Sequence, residues 1–402
     1  MTYDVSELRG RFPSLASGIA HFDGPGGTQT PREVADAMAA TLTAPLSNRG
    51  TVGLPERNAD AAVAAFRSAY SDLLGVAADG IVHGRSATQL TYDFSRALSR
   101  EWRADDEVVV SRLDHDANVR PWVQAAARVG ATVRWIDFDP ATGEVDGASV
   151  EAALTPRTRL VAITGACNLI GTRPPVARIA AAAHAVGALV WVDGVHYAAH
   201  QFVDVAALGA DFFVCSPYKF LGPHCAVLAA EPELLEGVRP DKLLPSTDAV
   251  PERFELGTLP YEVLAGATAA VDVLASLSPG GALTRRERLR ASFHAVDAHE
   301  SALRATLEDG LAALGAGRVV LHSLAAERTP TLLLTFPGRR SVDAYRFLAA
   351  RDVLAPAGSF YAYEPFRRLG LADETALRLG LAPYSTGEDV QRVLAGLEAF
   401  LG

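Results

Sequence analysis

ALVWVDGVH (188–196) and DFFVCSPYKF (211–220) are the two segments that decide the fold class. Each begins with an almost continuous apolar run and ends on polar residues, as strands do when helices cover both faces of a parallel sheet. Similar runs are EVVVS (107–111), TVRWIDF (132–138) and RLVAITG (159–165). Alanine-rich stretches of helical spacing, such as 121–130 and 176–187, lie between the runs. This alternation predicts a doubly wound α/β domain.

The composition excludes several classes of protein. With 49% hydrophobic and 21% charged residues among 402, the chain buries enough apolar surface to fold, so disorder is not expected. A net charge of −10 argues against a nucleic-acid-binding surface. We see neither a signal peptide at MTYDVSELRG nor an uncharged apolar stretch of about 18 residues. Three cysteines fit a reducing compartment, so we expect a cytoplasmic protein.

The pattern changes after about residue 260, and this change predicts a second domain. A helical tract over 261–315, in which Pro279 and Gly280 mark a break, precedes the short strands RVVLHS (318–323) and TPTLLLTF (329–336). Helices over 341–351 and 387–400 follow. We therefore predict a large domain of residues 20–260 and a small α+β domain that combines 1–19 with 261–402.

Asp193 and Lys219 each follow one of the apolar strands. Sheets of this kind bind ligands at the carboxyl edge of their strands, so both side chains are expected to face one crevice. A lysine there can form a Schiff base, and pyridoxal phosphate chemistry needs such a lysine together with a carboxylate beside the pyridine nitrogen. Taken alone, the pair is equally compatible with two solvated charges at strand ends.

Three further segments are compatible with a cofactor site. GRSATQL (84–90) opens a helix, where backbone N–H groups and the hydroxyls of Ser86 and Thr88 can hold a phosphate, although ordinary capping is the alternative. LDHDANV (113–119) offers His115, whose imidazole can stack on a flat ring, although a lone histidine at a strand end is more often structural. TGACNLIGT (164–172) offers the amide of Asn168 to a phenolic oxygen.

Together these segments resemble the class V aminotransferase family, in its cysteine-desulfurase-like branch. The motifs occur in family order over nearly the whole chain: FDGPGGTQTP (22–31), LDHDANV (113–119), VDGVHYAAH (192–200), SPYKFLGPH (216–224), FELGT (254–258) and LRLGLAPYST (377–386). The resemblance implies an enzyme of pyridoxal-phosphate fold type I. Its large domain would hold a mostly parallel, doubly wound sheet, with a smaller C-terminal α+β domain. The implied cofactor is pyridoxal 5′-phosphate and the implied substrate is an amino acid.

The resemblance also implies roles for single residues. Lys219 matches the catalytic Schiff-base lysine and Asp193 the partner of the pyridinium nitrogen. His115 matches the histidine that stacks on the ring and also handles protons. Asn168 and His196 match residues beside the phenolic oxygen of the cofactor.

Phosphate contacts are implied for Ser86, Ala87, Thr88 and Ser216, with Ala87 able to contribute only its backbone N–H. Thr258 matches a phosphate contact supplied by the partner subunit, which implies a homodimer.

Substrate contacts are implied at both ends of the substrate. Arg378 matches the arginine that clamps the α-carboxylate, a task that suits a bidentate guanidinium. Phe360 and Tyr361 lie where the resemblance places the substrate side chain, and a domain-interface core is the alternative for them. Asn48 and Arg49 match, loosely, residues that line the site from the other subunit.

The chain departs from the desulfurases in the loop VLAPAGSFYA (353–362), which contains no cysteine to carry a persulfide. We interpret Cys167, Cys215 and Cys225 as buried packing residues. Tyr218 also replaces the histidine that many desulfurases have before the lysine. A persulfide relay is therefore disfavoured.

Several reactions remain for such an enzyme. Aromatic loop residues suit a bulky or thioether substituent, so we favour a C–S β-lyase acting on an S-substituted cysteine, as in bacterial thiol and antibiotic metabolism. The alternatives are a decarboxylating oxidative deaminase of a cysteine S-conjugate and an amino-acid epimerase of the isopenicillin-N epimerase type. A cofactor-free binding protein is disfavoured because Lys219, Asp193, His115 and Arg378 are all present.

Overall fold

The computed structural model describes residues 3–277, 283–315, 317–371 and 375–402. The strands are β1 (Ala20–His21), β2 (Ile81–Gly84), β3 (Glu107–Ser111), β4 (Thr132–Ile136), β5 (Thr158–Thr164), β6 (Leu189–Asp193), β7 (Phe212–Cys215), β8 (Ala226–Ala229), β9 (Val320–Leu321), β10 (Thr331–Thr335), β11 (Val353–Leu354), β12 (Ala357–Gly358) and β13 (Ala376–Gly380). The helices are α1 (Val5–Gly10), α2 (Arg32–Thr43), α3 (Leu54–Leu74), α4 (Ala87–Leu98), α5 (Arg120–Val129), α6 (Gly147–Ala153), α7 (Val176–Ala185), α8 (Val205–Leu208), α9 (Pro232–Gly237), α10 (Tyr261–Ala275), α11 (Arg285–Ala313), α12 (Ser341–Ala349), α13 (Tyr363–Arg368) and α14 (Gly387–Leu401).

The central sheet has the strand order β2-β8-β7-β6-β5-β3-β4. Strand β8 runs antiparallel to both of its neighbours, and the pairs from β7 to β4 are parallel. Thr164 on β5 pairs with Asp193 on β6, and Asp193 pairs with Val214 on β7. The carboxyl ends of these three strands are therefore level, which brings the residues that follow them to one edge of the sheet.

Both faces of the central sheet are buried, as the apolar runs predict. Along β6, Val190 and Val192 belong to one hydrophobic cluster, while Trp191 between them belongs to the cluster on the opposite face. Phe212 and Phe213 on β7 divide in the same way. This alternation follows from the two-residue period of a strand and confirms the predicted doubly wound architecture.

A smaller sheet, of strand order β12-β13-β10-β9, lies in the C-terminal part of the chain. Its pairs are antiparallel, and Leu333 on β10 faces Arg378 on β13. The N-terminal segment joins this region, because β1 pairs with β11 and Arg9 on α1 forms an ion pair with Asp389 at 3.1 Å. The domain boundaries, 20–260 against 1–19 with 261–402, stay a prediction.

The helical tract expected over 261–315 consists of two helices in the structure. Helix α10 ends at Ala275 and α11 begins at Arg285, with Thr284 as its N-cap. The Thr284 N–H donates to a Glu287 carboxylate oxygen at 2.8 Å, and the Glu287 N–H donates to the Thr284 hydroxyl at 3.3 Å. This capping box starts a separate helix. Pro279 and Gly280, predicted to mark a break, lie outside the described residues.

Within the described ranges, none of the helices is both long and apolar enough to span a bilayer.

Gly194 allows the turn after β6 to pack closely on β7. A Cβ atom at this position would lie 1.9 Å from Cζ of Phe213, and the Gly194 N–H donates to the Val214 carbonyl at 2.8 Å. We therefore expect Gly194→Ala to lower the free energy of unfolding by about 1–3 kcal/mol or more, through overpacking. Urea denaturation followed by circular dichroism measures this change.

The matched control is Gly147→Ala at the first position of α6. No heavy atom lies within 4 Å of the Cβ site there, so the free energy of unfolding should stay within about 0.5 kcal/mol of the parent value or rise slightly. Equal stability of the two variants would contradict the close packing of the Gly194 turn on Phe213.

Candidate active site

A cavity of about 380 Å³ opens where the carboxyl ends of β3, β5, β6 and β7 meet the N-terminal segment and the small sheet. Its lining includes most of the residues that the sequence singled out: Ser86, Ala87, Thr88, His115, Asn168, Asp193, His196, Ser216, Lys219, Phe360, Tyr361 and Arg378. The fold therefore brings together residues that are up to 292 positions apart, from Ser86 to Arg378.

Three predicted site residues, Asn48, Arg49 and Thr258, are exposed and lie away from the lining of their own chain's cavity. Arg49 is engaged in ion pairs, with its Nε atom 2.8 Å from Asp60 Oδ1 and its Nη1 atom 3.0 Å from Glu252 Oε1. Their contribution to the site of a partner subunit stays a prediction.

Lys219 lies in a short 3₁₀ turn directly after β7. Its ammonium donates a hydrogen bond to the Pro25 carbonyl oxygen. Burial, and then the positive charge of Arg378, lower the pKa of Lys219 to about 8. Near neutral pH this amine therefore loses its proton far more readily than a solvated lysine, as a nucleophile requires.

Asp193 ends β6 and points into the same cavity. Its Oδ1 atom accepts a hydrogen bond from the Val195 N–H at 2.9 Å, and burial raises the pKa of the carboxyl to about 6. A cationic partner, such as a protonated ring nitrogen, would favour the carboxylate and lower this pKa. The position therefore suits the predicted contact with a pyridinium.

His115 presents a neutral imidazole to the cavity. Its Nδ1 atom accepts a hydrogen bond from the Ala117 N–H at 3.0 Å, which leaves the ring proton on Nε2. Burial, and then the charge of Lys219, lower the pKa of His115 to about 4. The ring lies 5.7 Å from that of Tyr361, centroid to centroid. A neutral ring at this place can stack on a flat cofactor at any pH near 7.

Two buried polar atoms of the lining residues show that the cavity fits a hydrogen-bonding ligand. Asn168 Oδ1 and His196 Nδ1 have no hydrogen-bond partner within the described part of the chain. The remaining atoms of both groups are engaged: Asn168 Nδ2 donates to the Phe360 carbonyl at 3.0 Å, and His196 Nε2 lies 2.9 Å from the Thr329 hydroxyl. Leaving such atoms unpaired is costly, so a polar ligand atom between them is expected.

The phosphate end of the site is the first turn of α4. Ser86 is its N-cap, and its hydroxyl accepts from the Gln89 N–H at 3.1 Å, so the capping alternative holds for this side chain. Ala87 and Thr88 of this turn line the cavity, as does Ser216, which follows β7. Free N–H groups and the helix dipole make such a turn suitable for a phosphate.

Arg378 is 2% exposed and held from three sides. Its Nη1 atom donates to the Asn168 carbonyl at 3.0 Å, its Nη2 atom donates to Asp23 Oδ1 at 3.0 Å, and its guanidinium lies 3.8 Å from the ring centroid of Phe360. The Nε atom has no hydrogen-bond partner among the described residues, so it and the second hydrogens of Nη1 and Nη2 remain as donors for a substrate carboxylate.

The sequence reasoning missed several residues of this site. Asp23 and Pro25 lie inside the motif FDGPGGTQTP, which contributes to the family resemblance but does not by itself assign a role to either residue. Thr329 and Thr331 contact His196 from the small sheet. Nothing in the sequence pattern could have indicated these two threonines, because they lie 133 and 135 residues from the histidine.

The cysteines are buried, as interpreted from the sequence. Burial raises the pKa values of Cys167 and Cys225 to about 12, and burial also raises that of Cys215. Thiols of this kind remain protonated at neutral pH and are poor nucleophiles.

The comparisons with known proteins decide the family. A family model described as aminotransferase class-V matches residues 20–393. The chain belongs to the class V aminotransferase family. The predicted family, and an enzyme that uses pyridoxal phosphate and acts on an amino acid, are thereby confirmed, and the alternative of a cofactor-free binding protein is set aside.

The relatives of this class V aminotransferase include proteins named as desulfurases. It is 31% identical over 401 residues to an uncharacterized protein, MT3887, of Mycobacterium tuberculosis, with 99% of each chain covered. It is 30% identical over 420 residues to probable cysteine desulfurase 2 of Mycobacterium leprae, with 98% of this chain and 96% of the relative covered. The solved cysteine desulfurase CsdA of Escherichia coli shares the fold, with a TM-score of 0.87 at 24% identity over 99% of this chain and 98% of that one.

The lowered pKa of Lys219 predicts how the enzyme without cofactor captures pyridoxal phosphate. Only the neutral amine attacks the aldehyde, and with a pKa of about 8 roughly a tenth of Lys219 is neutral at pH 7. The rate of covalent capture should rise with pH and level off with a midpoint near 8. Borohydride trapping followed by mass spectrometry measures the capture rate. The same reaction with Nα-acetyl-lysine amide serves as the reference that corrects for ionisation of the aldehyde.

In Arg378→Gln the midpoint should move to higher pH, because a positive charge that disfavours the ammonium is removed. Arg346→Gln, which changes an exposed arginine on α12, should leave the midpoint unchanged. A parent midpoint near 10.5, the ordinary value for lysine, would contradict the electrostatics described for this cavity.

Proposed function

We propose that the protein is a C–S β-lyase that acts on an S-substituted cysteine and does not use a persulfide relay. The observation that carries the proposal is the segment VLAPAGSFYA (353–362), which borders the cavity with Phe360 and Tyr361 and has Gly358 and Ser359 in place of a sulfur carrier. The three buried, protonated cysteines cannot replace such a carrier without local unfolding.

Bound pyridoxal phosphate supplies an electron-withdrawing ring that acidifies the Cα–H bond of an amino acid attached to it. The proposal assigns the other tasks to the chain. Asp193 keeps the ring nitrogen protonated, His115 covers the ring, and the first turn of α4 with Thr88 and Ser216 holds the phosphate. His196 Nδ1 and the second hydrogen of Asn168 Nδ2 donate to the phenolic oxygen.

Arg378 orients the substrate through its α-carboxylate, and Lys219 accepts the Cα proton. An amine with a pKa of about 8 suits this task, because it is partly neutral at physiological pH and still basic enough to hold the proton. The leaving group then departs from Cβ. A thiolate is a better leaving group than an alkoxide because thiols are much stronger acids than alcohols, so no strong acid has to lie beside the sulfur.

The enzyme should convert S-methyl-L-cysteine into equal amounts of pyruvate, ammonia and methanethiol. Lys219→Ala should lower this rate by about 10²–10⁴-fold, because the proton acceptor is lost. Coupling to lactate dehydrogenase measures pyruvate, coupling to glutamate dehydrogenase measures ammonia, and a thiol reagent measures methanethiol. L-Cysteine should yield no alanine and no protein-bound persulfide.

Other product patterns would contradict the lyase. Alanine with a persulfide on the protein would indicate a desulfurase, and carbon dioxide release with oxygen uptake would indicate the decarboxylating oxidative deaminase. A mixture of D- and L-substrate without fragmentation would indicate the epimerase.

The proposal includes a homodimer in which Thr258 contacts the cofactor phosphate of the partner subunit, with Asn48 and Arg49 beside that site. Both segments lie next to exposed apolar side chains: Leu256 is 57% exposed and Val52 is 87% exposed. They are also joined, since Glu252 Oε1 accepts hydrogen bonds from Arg67 Nη1 at 2.6 Å and from Arg49 Nη1 at 3.0 Å. Exposed apolar surface of this kind suits a subunit interface.

Thr258→Val should weaken cofactor binding about tenfold or more, because one hydrogen bond to a charged phosphate is lost while the shape of the side chain is kept. Fluorescence titration with pyridoxal phosphate measures the affinity, and sedimentation should show two chains per particle. Thr306→Val, at an exposed position on α11, is the matched control and should leave the affinity unchanged. A monomer with full cofactor affinity would contradict the proposal.

A further inference from the structure

A second cavity, of about 510 Å³, lies next to the cavity that contains Lys219, and we call it the outer cavity. It is lined by Asp116, Arg120, Ser359, Phe360, Tyr361 and Tyr363. Phe360 and Tyr361 line both cavities, so these two residues form the boundary between them. The inner cavity has to hold the cofactor and the amino-acid part of the substrate. A larger substituent on the substrate would therefore extend past Phe360 and Tyr361.

The boundary is held in an unusual backbone conformation. Phe360 and Tyr361 both have a φ of +55°, in the left-handed region that side chains other than glycine rarely adopt. Two hydrogen bonds from loops that follow strands of the central sheet hold this conformation. Asn168 Nδ2 donates to the Phe360 carbonyl at 3.0 Å, and the Asp116 N–H donates to the Tyr361 carbonyl at 2.8 Å. Such over-determined strain concentrates where a loop has to present side chains to a ligand.

The side chains around the outer cavity are aromatic and accessible. Tyr361 is 78% exposed and Tyr363 is 49% exposed, which is far more than such large side chains usually leave to water. The ring of Phe360, in contrast, is fixed against the guanidinium of Arg378. A flat group that enters the outer cavity would meet ring faces and edges on more than one side.

The charges of the outer cavity compensate one another. Arg120 Nη2 lies 2.9 Å from Asp116 Oδ1, and Arg120 Nε lies 3.4 Å from Asp116 Oδ2. Next to the cavity, Arg367 Nη1 donates to the Tyr363 hydroxyl at 3.1 Å. Because the one carboxylate and the one guanidinium of the lining are paired with each other, the outer cavity favours a neutral ligand over an anion or a cation.

We propose that the outer cavity is a substrate subsite that binds a neutral aromatic group carried on the sulfur of the cysteine S-conjugate. This inference rests on the proposed lyase function and names its substrate class. The α-carboxylate binds Arg378, the Cβ–S bond lies in the inner cavity, and the aromatic group passes Phe360 to stack on Tyr361 and Tyr363.

Two ligands that lack the amino group test the subsite without any reaction. These are 3-(benzylthio)propanoate and 3-(methylthio)propanoate, which share the carboxylate and the thioether and differ in the aromatic ring. By isothermal titration calorimetry on the holoenzyme, the benzyl compound should bind about tenfold more tightly, because the ring is buried and stacked.

Variants at position 361 connect this preference to the structure. Tyr361→Ala should weaken binding of the benzyl compound about five- to tenfold and that of the methyl compound by less, because the benzyl ring loses the side chain on which it stacks. Tyr361→Phe keeps the ring and should retain the preference. Tyr361→Gly relieves the positive φ and removes the ring, so it should behave like Tyr361→Ala if the ring, and not the backbone strain, is what matters.

Equal affinities for the two compounds, or an equal loss for both in Tyr361→Ala, would overturn the subsite. The lyase proposal has its own readout, which is pyruvate release from S-methyl-L-cysteine. Pyruvate release without a benzyl preference would refute the subsite alone. A benzyl preference that depends on Tyr361, with no pyruvate from any S-substituted cysteine, would support the subsite and refute the lyase.

Discussion

The buried guanidinium of Arg378 is the interaction on which the active site depends. A charge that is 2% exposed has to be paired, and three parts of the chain supply the partners. Asp23 comes from the N-terminal segment, the Asn168 carbonyl from the loop after β5, and Phe360 from the loop that borders the cavity. The same group therefore holds the small sheet against the central sheet, and it carries the positive charge on which the proposed contact with the substrate carboxylate rests.

Burial moves the pKa values of the titratable groups around the cofactor position in a consistent direction. It favours the neutral form in each case, lowering the pKa of Lys219 to about 8 and that of His115 to about 4, and raising that of Asp193 to about 6. For His115 the shift gives an uncharged ring near pH 7, and for Lys219 it leaves roughly a tenth of the amine neutral at that pH. For Asp193, a cationic ring nitrogen would reverse the shift and restore the carboxylate.

Much of the central sheet could be predicted from local pattern. Strands β3, β6 and β7 lie within EVVVS, ALVWVDG and DFFVCS, and β5 begins one residue before RLVAITG. A strand covered on both faces leaves such a continuous apolar run. The C-terminal part was harder to predict. Strands β9, β11 and β12 have two residues each, which is too short for any period to show. The helical patterns of α10 and α11 are also similar, so the sequence did not show where the first helix ends and the second begins.

The sequence by itself indicated the family and predicted the reactive groups, since Lys219, Asp193, His115, Asn168 and Arg378 stand in recognisable motifs in a fixed order. Only the tertiary structure decided what these groups contact. Asp23 meets Arg378 across 355 residues and Thr331 meets His196 across 135. The outer cavity likewise exists only because a loop of the C-terminal part lies against Asp116 and Arg120. Local periodicity reports which face of an element is buried, whereas contacts between distant segments depend on how whole sheets and loops pack together.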